Sequence, residues 1–144
     1  MRYKPKKFGL YKRNFTTTDG ITVKEENFYK NGKKHGLCKW ETSDGFSGED
    51  NYKNGKLDGI SKTFEDNMII LEVPYKKGKR DGIVKEYYEN ILCGEYSYKN
   101  DKKHGISKEY WDGKIYLKTL YQNDKIIEKT YYKKDNTINT RIEE

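Results

Sequence analysis

The sequence contains no alanine, and only two each of cysteine, proline, histidine and methionine among 144 residues. Each scarcity removes a class of protein. Two cysteines, Cys38 and Cys93, cannot build a disulfide framework and fit a reducing compartment. No run approaches the ~20 consecutive apolar residues of a membrane helix. The opening "MRYKPKKFGLYKRN" lacks the apolar core of a signal peptide. A soluble cytoplasmic protein is therefore the expectation, with export by a signal-independent route left open. No stretch repeats apolar residues at helical spacing.

What is present pulls in two directions. Charged residues are 37% of the chain and hydrophobic ones 33%, a mixture that leans toward disorder. Fourteen tyrosines argue against it, because each brings a large apolar ring under a polar tip. A thin core rich in tyrosine and isoleucine suits an open, elongated fold. The net charge of +7 has a local source: residues 1–14 carry Arg2, Lys4, Lys6, Lys7, Lys12 and Arg13 and no acid. Read this way, the basicity is a short N-terminal arm on a near-neutral body. That reading weakens nucleic-acid binding and leaves contact with an acidic or membrane surface open.

The dominant feature is a repeat. "YKNGKKHGLCK" at 29–39 returns as "YKNGKLDGISK" at 52–62, "YKKGKRDGIVK" at 75–85 and "YKNDKKHGISK" at 98–108. Tyr29, Tyr52, Tyr75, Tyr98 and Tyr121 stand 23 residues apart, and Gly36, Gly59, Gly82 and Gly105 keep the same step. Lysines at 39, 62, 85 and 108 and glutamates at 26, 49, 72 and 95 form two further series. Each unit holds two reversals. The first is Asn31-Gly32, Asn54-Gly55, Lys77-Gly78 or Asn100-Asp101, and Asn-Gly is the strongest short hairpin signal. The second is Asp44-Gly45, Asp66-Asn67, Glu89-Asn90 or Asp112-Gly113, with Asp19-Gly20 in the same slot. Between them lie β-branched and aromatic runs.

The expected fold is thus all-β: one elongated antiparallel meander of about five 23-residue hairpin units in a single domain, residues 1–144. The predicted divisions are the arm 1–14, a degenerate half-unit 15–28, units 29–51, 52–74, 75–97 and 98–120, and a partial capping unit 121–144. Alternation places Ile60, Lys62 and Phe64 on one face, with Ile83, Lys85, Tyr87 and Ile106, Lys108, Tyr110. The glutamate series is expected to supply cross-strand partners for the lysines.

The pattern YKNGKxxGxxKxYxxNG resembles the bacterial variant of the MORN repeat, and is similar to the YwqK-type antitoxin family. The resemblance spans about residues 8–134. It implies an elongated all-β sheet that works by binding protein: an immunity protein that neutralises a cognate toxin, encoded beside it, by stoichiometric occlusion. The alternative is a MORN-type scaffold or anionic-lipid surface module. The chain departs from the pattern at "WETSDGFSGED", at Ile91, and at Glu128, which replaces the ladder glycine.

Residues for chemistry are scarce, and no enzyme, metal or cofactor is expected. His35 and His104 occupy the slot that Asp58 and Asp81 fill elsewhere, which reads as a turn position. Cys38 shares its slot with Ser61, Val84 and Ser107, an ordinary strand side chain. Candidates for specificity are residues that leave the register: Trp40, Phe46, Tyr88, Cys93, Trp111, Tyr131 and Tyr132. The candidate protein-binding set is Trp40, Phe46, Tyr88 and Trp111 with Lys62, Lys85 and Lys108. The sequence leaves open the toxin's identity, the face that binds and the oligomeric state.

Overall fold

The computed structural model describes residues 8–143. The chain opens with β1 (Phe8–Thr16) and β2 (Thr22–Lys30). Four similar passages follow, each with a two-residue strand, a longer strand and a return. They are β3 (Lys33–Lys34), β4 (Gly36–Thr42) and β5 (Phe46–Lys53); then β6 (Lys56–Leu57), β7 (Gly59–Glu65) and β8 (Met68–Lys76). Next come β9 (Lys79–Arg80), β10 (Gly82–Tyr88) and β11 (Ile91–Lys99), then β12 (Lys102–Lys103), β13 (Gly105–Trp111) and β14 (Lys114–Gln122). β15 (Lys125–Tyr132) and β16 (Ile138–Glu143) complete the described residues. All belong to one antiparallel sheet in which each long strand pairs with the next. The all-β meander expected from the repeat is the fold observed.

Both sets of turns form because their residues accept positive φ. At the first turns, Asn31 and Gly32 have φ of +51° and +73°, and Asn123 and Asp124 have +50° and +67°. The second turns at Asp66-Asn67, Glu89-Asn90 and Asp112-Gly113 do the same. Two successive positive-φ residues define the type I′ reversal, whose twist matches that of the strands it joins. The second turn of "WETSDGFSGED" differs. It is a looser loop over 43–45, with the Gly45 N–H donating to the Thr42 carbonyl at 3.2 Å.

A recurring offset follows each first turn. Tyr29 faces Lys34, yet Glu26 faces Lys39, so 35–38 hold two residues more than the stretch opposite. The same offset follows Tyr52, Tyr75 and Tyr98. At each, the residue before the ladder glycine donates its N–H back across the hairpin: His35 to Phe28, Asp58 to Asn51, Asp81 to Pro74 and His104 to Ser97. The glycine then takes a positive φ, from +77° at Gly36 to +127° at Gly82. That backbone state is the reason for the glycine series. In the last unit Glu128 cannot serve, and the offset shrinks to one residue between Leu120 and Tyr121. β15 consequently runs without a break.

The first unit corrects the sequence reading. Residues 8–14, assigned to a basic arm, belong to strand β1 and supply the front of the unit whose back half is 15–28. Gly9 faces Tyr29 as Gly36 faces Tyr52, and Lys12 faces Glu26 as Lys39 faces Glu49. "GLYK" is a ladder copy that sits 27 rather than 23 residues before Gly36, because β1 and β2 each carry two more residues between the Lys12–Glu26 pair and a Thr17–Ile21 loop built like Thr42–Phe46. Lys12 and Arg13 are paired with Glu26 and Glu25 rather than free. The remainder of the expected arm, 1–7, lies outside the described residues.

The sheet has no second layer among the described residues, and its packing is correspondingly thin. The buried apolar side chains are Cys38, Val73 and Val84, joined on the same face by Asn27, Ser107 and Thr119. Around this back-face row of small residues stand the rings of Tyr29, Tyr52, Tyr75, Tyr98 and Tyr121. Basic side chains lie over three of them: Lys34 on Tyr52, Arg80 on Tyr98 and Lys103 on Tyr121, at 5.0, 4.3 and 4.9 Å. First turns also bond to one another. Gly55, Gly78, Asp101 and Asp124 donate N–H groups to the carbonyls of Lys34, Leu57, Arg80 and Lys103.

The ladder glycine yields a direct test. A Cβ on Gly82 would sit 3.0 Å from Pro74 Cγ at a φ of +127°. Gly82→Ala is expected to destabilise the sheet by about 1–3 kcal/mol, read as a lower urea midpoint. An unchanged midpoint contradicts the role assigned to the positive-φ corner.

Candidate protein-binding surface

Alternation and register sort the front-face side chains into three parallel rows. The central row is a charge ladder: Lys12, Glu26, Lys39, Glu49, Lys62, Glu72, Lys85, Glu95 and Lys108 are consecutive cross-strand neighbours. Lys39 reaches Glu49 at 3.1 Å and Lys62 reaches Glu72 at 3.8 Å. The glutamates have second partners, since Tyr87 donates to Glu72 at 3.2 Å and Tyr110 to Glu95 at 2.7 Å. The expected lysine–glutamate pairing is therefore present. It also commits Lys62 and Lys108, two of the three lysines proposed for binding, to partners within the sheet. The alternation ends at Lys108, which faces Lys118.

Beside this ladder, toward the first turns, runs an aliphatic row. Leu10, Leu37, Ile60, Ile83 and Ile106 occupy equivalent positions and are between 44% and 53% exposed. Phe28, Pro74 and Leu120 stand opposite three of them. Asn51 and Ser97 stand opposite Leu37 and Ile83, so the row has two polar breaks, yet monomeric proteins seldom repeat so many exposed apolar side chains along one line.

The outermost row was missed in the sequence reading. Lys30 faces Lys33, Lys53 faces Lys56, Lys76 faces Lys79 and Lys99 faces Lys102. All eight are exposed. Among the described residues no ion pair joins any of them to a carboxylate. The signal was available in "KNGK", since residues flanking a two-residue turn share a face. The opposite edge is acidic, with Asp19, Asp44, Asp66, Glu89 and Asp112 exposed at the second turns. The near-neutral body thus separates its charge, basic at one edge of the sheet and acidic at the other.

Trp40, Phe46, Tyr88 and Trp111 lie on the back face, whereas Tyr132 has Lys118 over its ring at 5.2 Å. Tyr88 and Trp111 are 70% and 78% exposed near the second turns, where Tyr88 faces Ile91. Trp40 and Phe46 are half-buried. Trp40 lies over Gly48, where a Cβ would come within 2.4 Å of its ring, so it covers a glycine of the adjacent strand. Tyr96 covers Gly94, two residues before it on its own strand. Cys93 bonds the Glu86 carbonyl at a strand irregularity.

The remaining reactive groups have structural surroundings. His35 Nδ1 accepts the Asn54 N–H at 3.4 Å, and the Asp58 carboxylate accepts the Lys77 N–H at 3.1 Å. In these two units the slot is an acceptor for the next turn, whereas His104 Nδ1 is buried without a hydrogen-bond partner. Burial pushes the Cys38 and Cys93 thiols up, which keeps them protonated. No three histidine, cysteine or acidic side chains converge as metal ligands among the described residues. A shallow groove of about 550 Å³ between Lys12, Glu26, Lys39, Glu49 and Phe64 is bordered by charges that are already paired.

The tyrosine–glutamate contacts predict a pH response. Burial and the Glu95 carboxylate push Tyr110 up to about 12, and the Glu109 hydrogen bond with burial does the same for Tyr116. A raised phenol contributes stability that is complete below its ordinary value of 10.0 and is lost as pH rises through about 12. Tyrosinate absorbance should show a late-titrating fraction that Tyr110→Phe reduces. Uniform titration near 10.0 contradicts the contacts.

Compared with protein-family models and with curated proteins, the chain matches none.

Proposed function

We propose that this chain is an immunity-type protein that binds a toxin domain and neutralises it by stoichiometric occlusion. The observation that carries the reading is the exposed aliphatic row, repeated in five successive hairpins of an open sheet. Such a strip has the chemistry of a protein interface with its partner removed. Tyr88 and Trp111 add two exposed aromatic anchors of the kind that dominate interface energetics. The phrase resembling antitoxin repeats supplies the class of partner. In this reading the regular rows give area and orientation, and the residues that leave the register give selectivity.

Co-expression with the toxin-like domain of a neighbouring reading frame tests the proposal. A one-to-one complex and restored growth are expected. Tyr88→Ala with Trp111→Ala, or Ile60→Asp with Ile83→Asp, should weaken the complex by about 2 kcal/mol or more, according to which face is covered. Calorimetry would read the loss. No complex and no rescue, or full affinity in both double variants, would sink the proposal.

A further inference from the structure

The lysine pairs of the first-turn edge run against elementary electrostatics. Like charges directly opposite in a hairpin destabilise it, yet the arrangement recurs in four successive units. Two positions inward the same face alternates lysine with glutamate. Acidic partners are therefore compatible with this fold, yet the carboxylates that stand at the edge, Asp101 and Asp124, accept the N–H groups of Arg80 and Lys103, and among the described residues none forms an ion pair with the facing lysines. Packing accounts for part of the lysine: the Lys33 stem passes 3.6 Å from where a Gly55 Cβ would stand, and Lys56 treats Gly78 likewise at 3.7 Å. Those contacts use methylene groups. They do not explain ammonium groups in facing pairs.

We infer that the front face along this edge is a docking track for an α-helix of a partner protein, amphipathic and acidic along one flank, laid across the strands. The inference rests on the protein-binding reading above and names the element recognised. Equivalent residues of successive units stand about 9.6 Å apart, two strand spacings. Seven residues of helix advance about 10.5 Å. One heptad thus meets one unit, with apolar positions on the aliphatic row and acids on the lysine pairs. The two rows are about 7 Å apart along the strand, within the width of one helix of about 10 Å. Four unit intervals, from the Lys30 turn to the Lys125 turn, span about 40 Å and suit roughly 26 helical residues.

Other polyanions fit less well. A flat anionic membrane would also press on Glu26, Glu49, Glu72 and Glu95 of the central row, which a helix leaves in water. Single-stranded nucleic acid needs aromatic platforms beside its basic groups, whereas the neighbouring row carries rings at Phe8 and Phe28 of the first hairpin and aliphatic side chains at Leu37, Ile60, Ile83 and Ile106.

The test uses a fluorescent synthetic peptide of about four heptads, matching the track length, with leucine on one face and glutamate on one flank. Its controls are a scrambled peptide of equal composition and one with lysine replacing the flank glutamates. Anisotropy should show the first peptide binding, more weakly as salt rises toward ~0.15 M, and both controls failing. Lys53→Gln/Lys76→Gln/Lys99→Gln and, separately, Ile60→Ser/Ile83→Ser should each weaken binding about tenfold or more, equivalent to about 1.4 kcal/mol, with the β-sheet circular dichroism retained. Equal binding of the scrambled peptide, or unchanged affinity in the lysine variant, overturns the inference. So does capture by phosphatidylserine vesicles or DNA without peptide binding. If the lysine variant still binds and neutralises a toxin as wild type does, the track fails and the immunity reading survives. Peptide binding without any toxin complex separates them the other way.

Discussion

The structure depends on one backbone device, the positive-φ corner behind each first turn. Two extra residues there, closed by an N–H bond back across the hairpin, bring one first turn against the next. The turns then form their own line of main-chain bonds along the edge, from Gly55 to Lys34 and onward. Without the offset, the strand after each turn would continue in the register of the first two pairs. Every later side chain would then meet a different partner. The lysine–glutamate ladder, the tyrosine row and the aliphatic row are consequences of this one geometry.

A single-layer sheet cannot gain much from burial, and this one does not. Three apolar side chains are buried among the described residues. Cohesion instead comes from neighbour contacts: strand hydrogen bonds, basic stems over tyrosine rings, and glutamates shared between a lysine and a tyrosine. Exposed ion pairs contribute little individually, but a ladder in which each charge between Lys12 and Lys108 has two opposite neighbours also fixes register. Each unit leans on the next, as in other repeat architectures. The same thinness leaves both faces available to a partner, which is where the proposed binding function takes its support.

Much of the fold was legible in the sequence because its signals are local. Asn-Gly and Asp-Asn pairs mark turns through their own backbone preferences, and alternation assigns faces without any long-range information. The first unit escaped notice for an equally physical reason. Gly9, Leu10 and Lys12 are ladder residues, but longer paired strands displace them from the period, and counting along the chain cannot see a pairing restored across them. Glu128 shows the converse. The missing glycine was visible, but only the paired strands show that the offset shrinks rather than disappears.

The candidate site was less legible. Trp40, Tyr88 and Trp111 were picked out by leaving the pattern, yet exposure separates them, since Trp40 covers Gly48 while Tyr88 and Trp111 face water. By itself the sequence determined the repeat, the turns, the strand faces and the identity of the ladder residues, because these follow from spacing and backbone preference within one unit. Tertiary structure alone decided which charges neutralise one another, because that requires knowing which strands are neighbours. It placed the glutamates between lysines in the middle of the front face and set the turn lysines opposite one another in pairs. A chain that counts as nearly neutral beyond its first residues thereby becomes a sheet with one basic edge and one acidic edge.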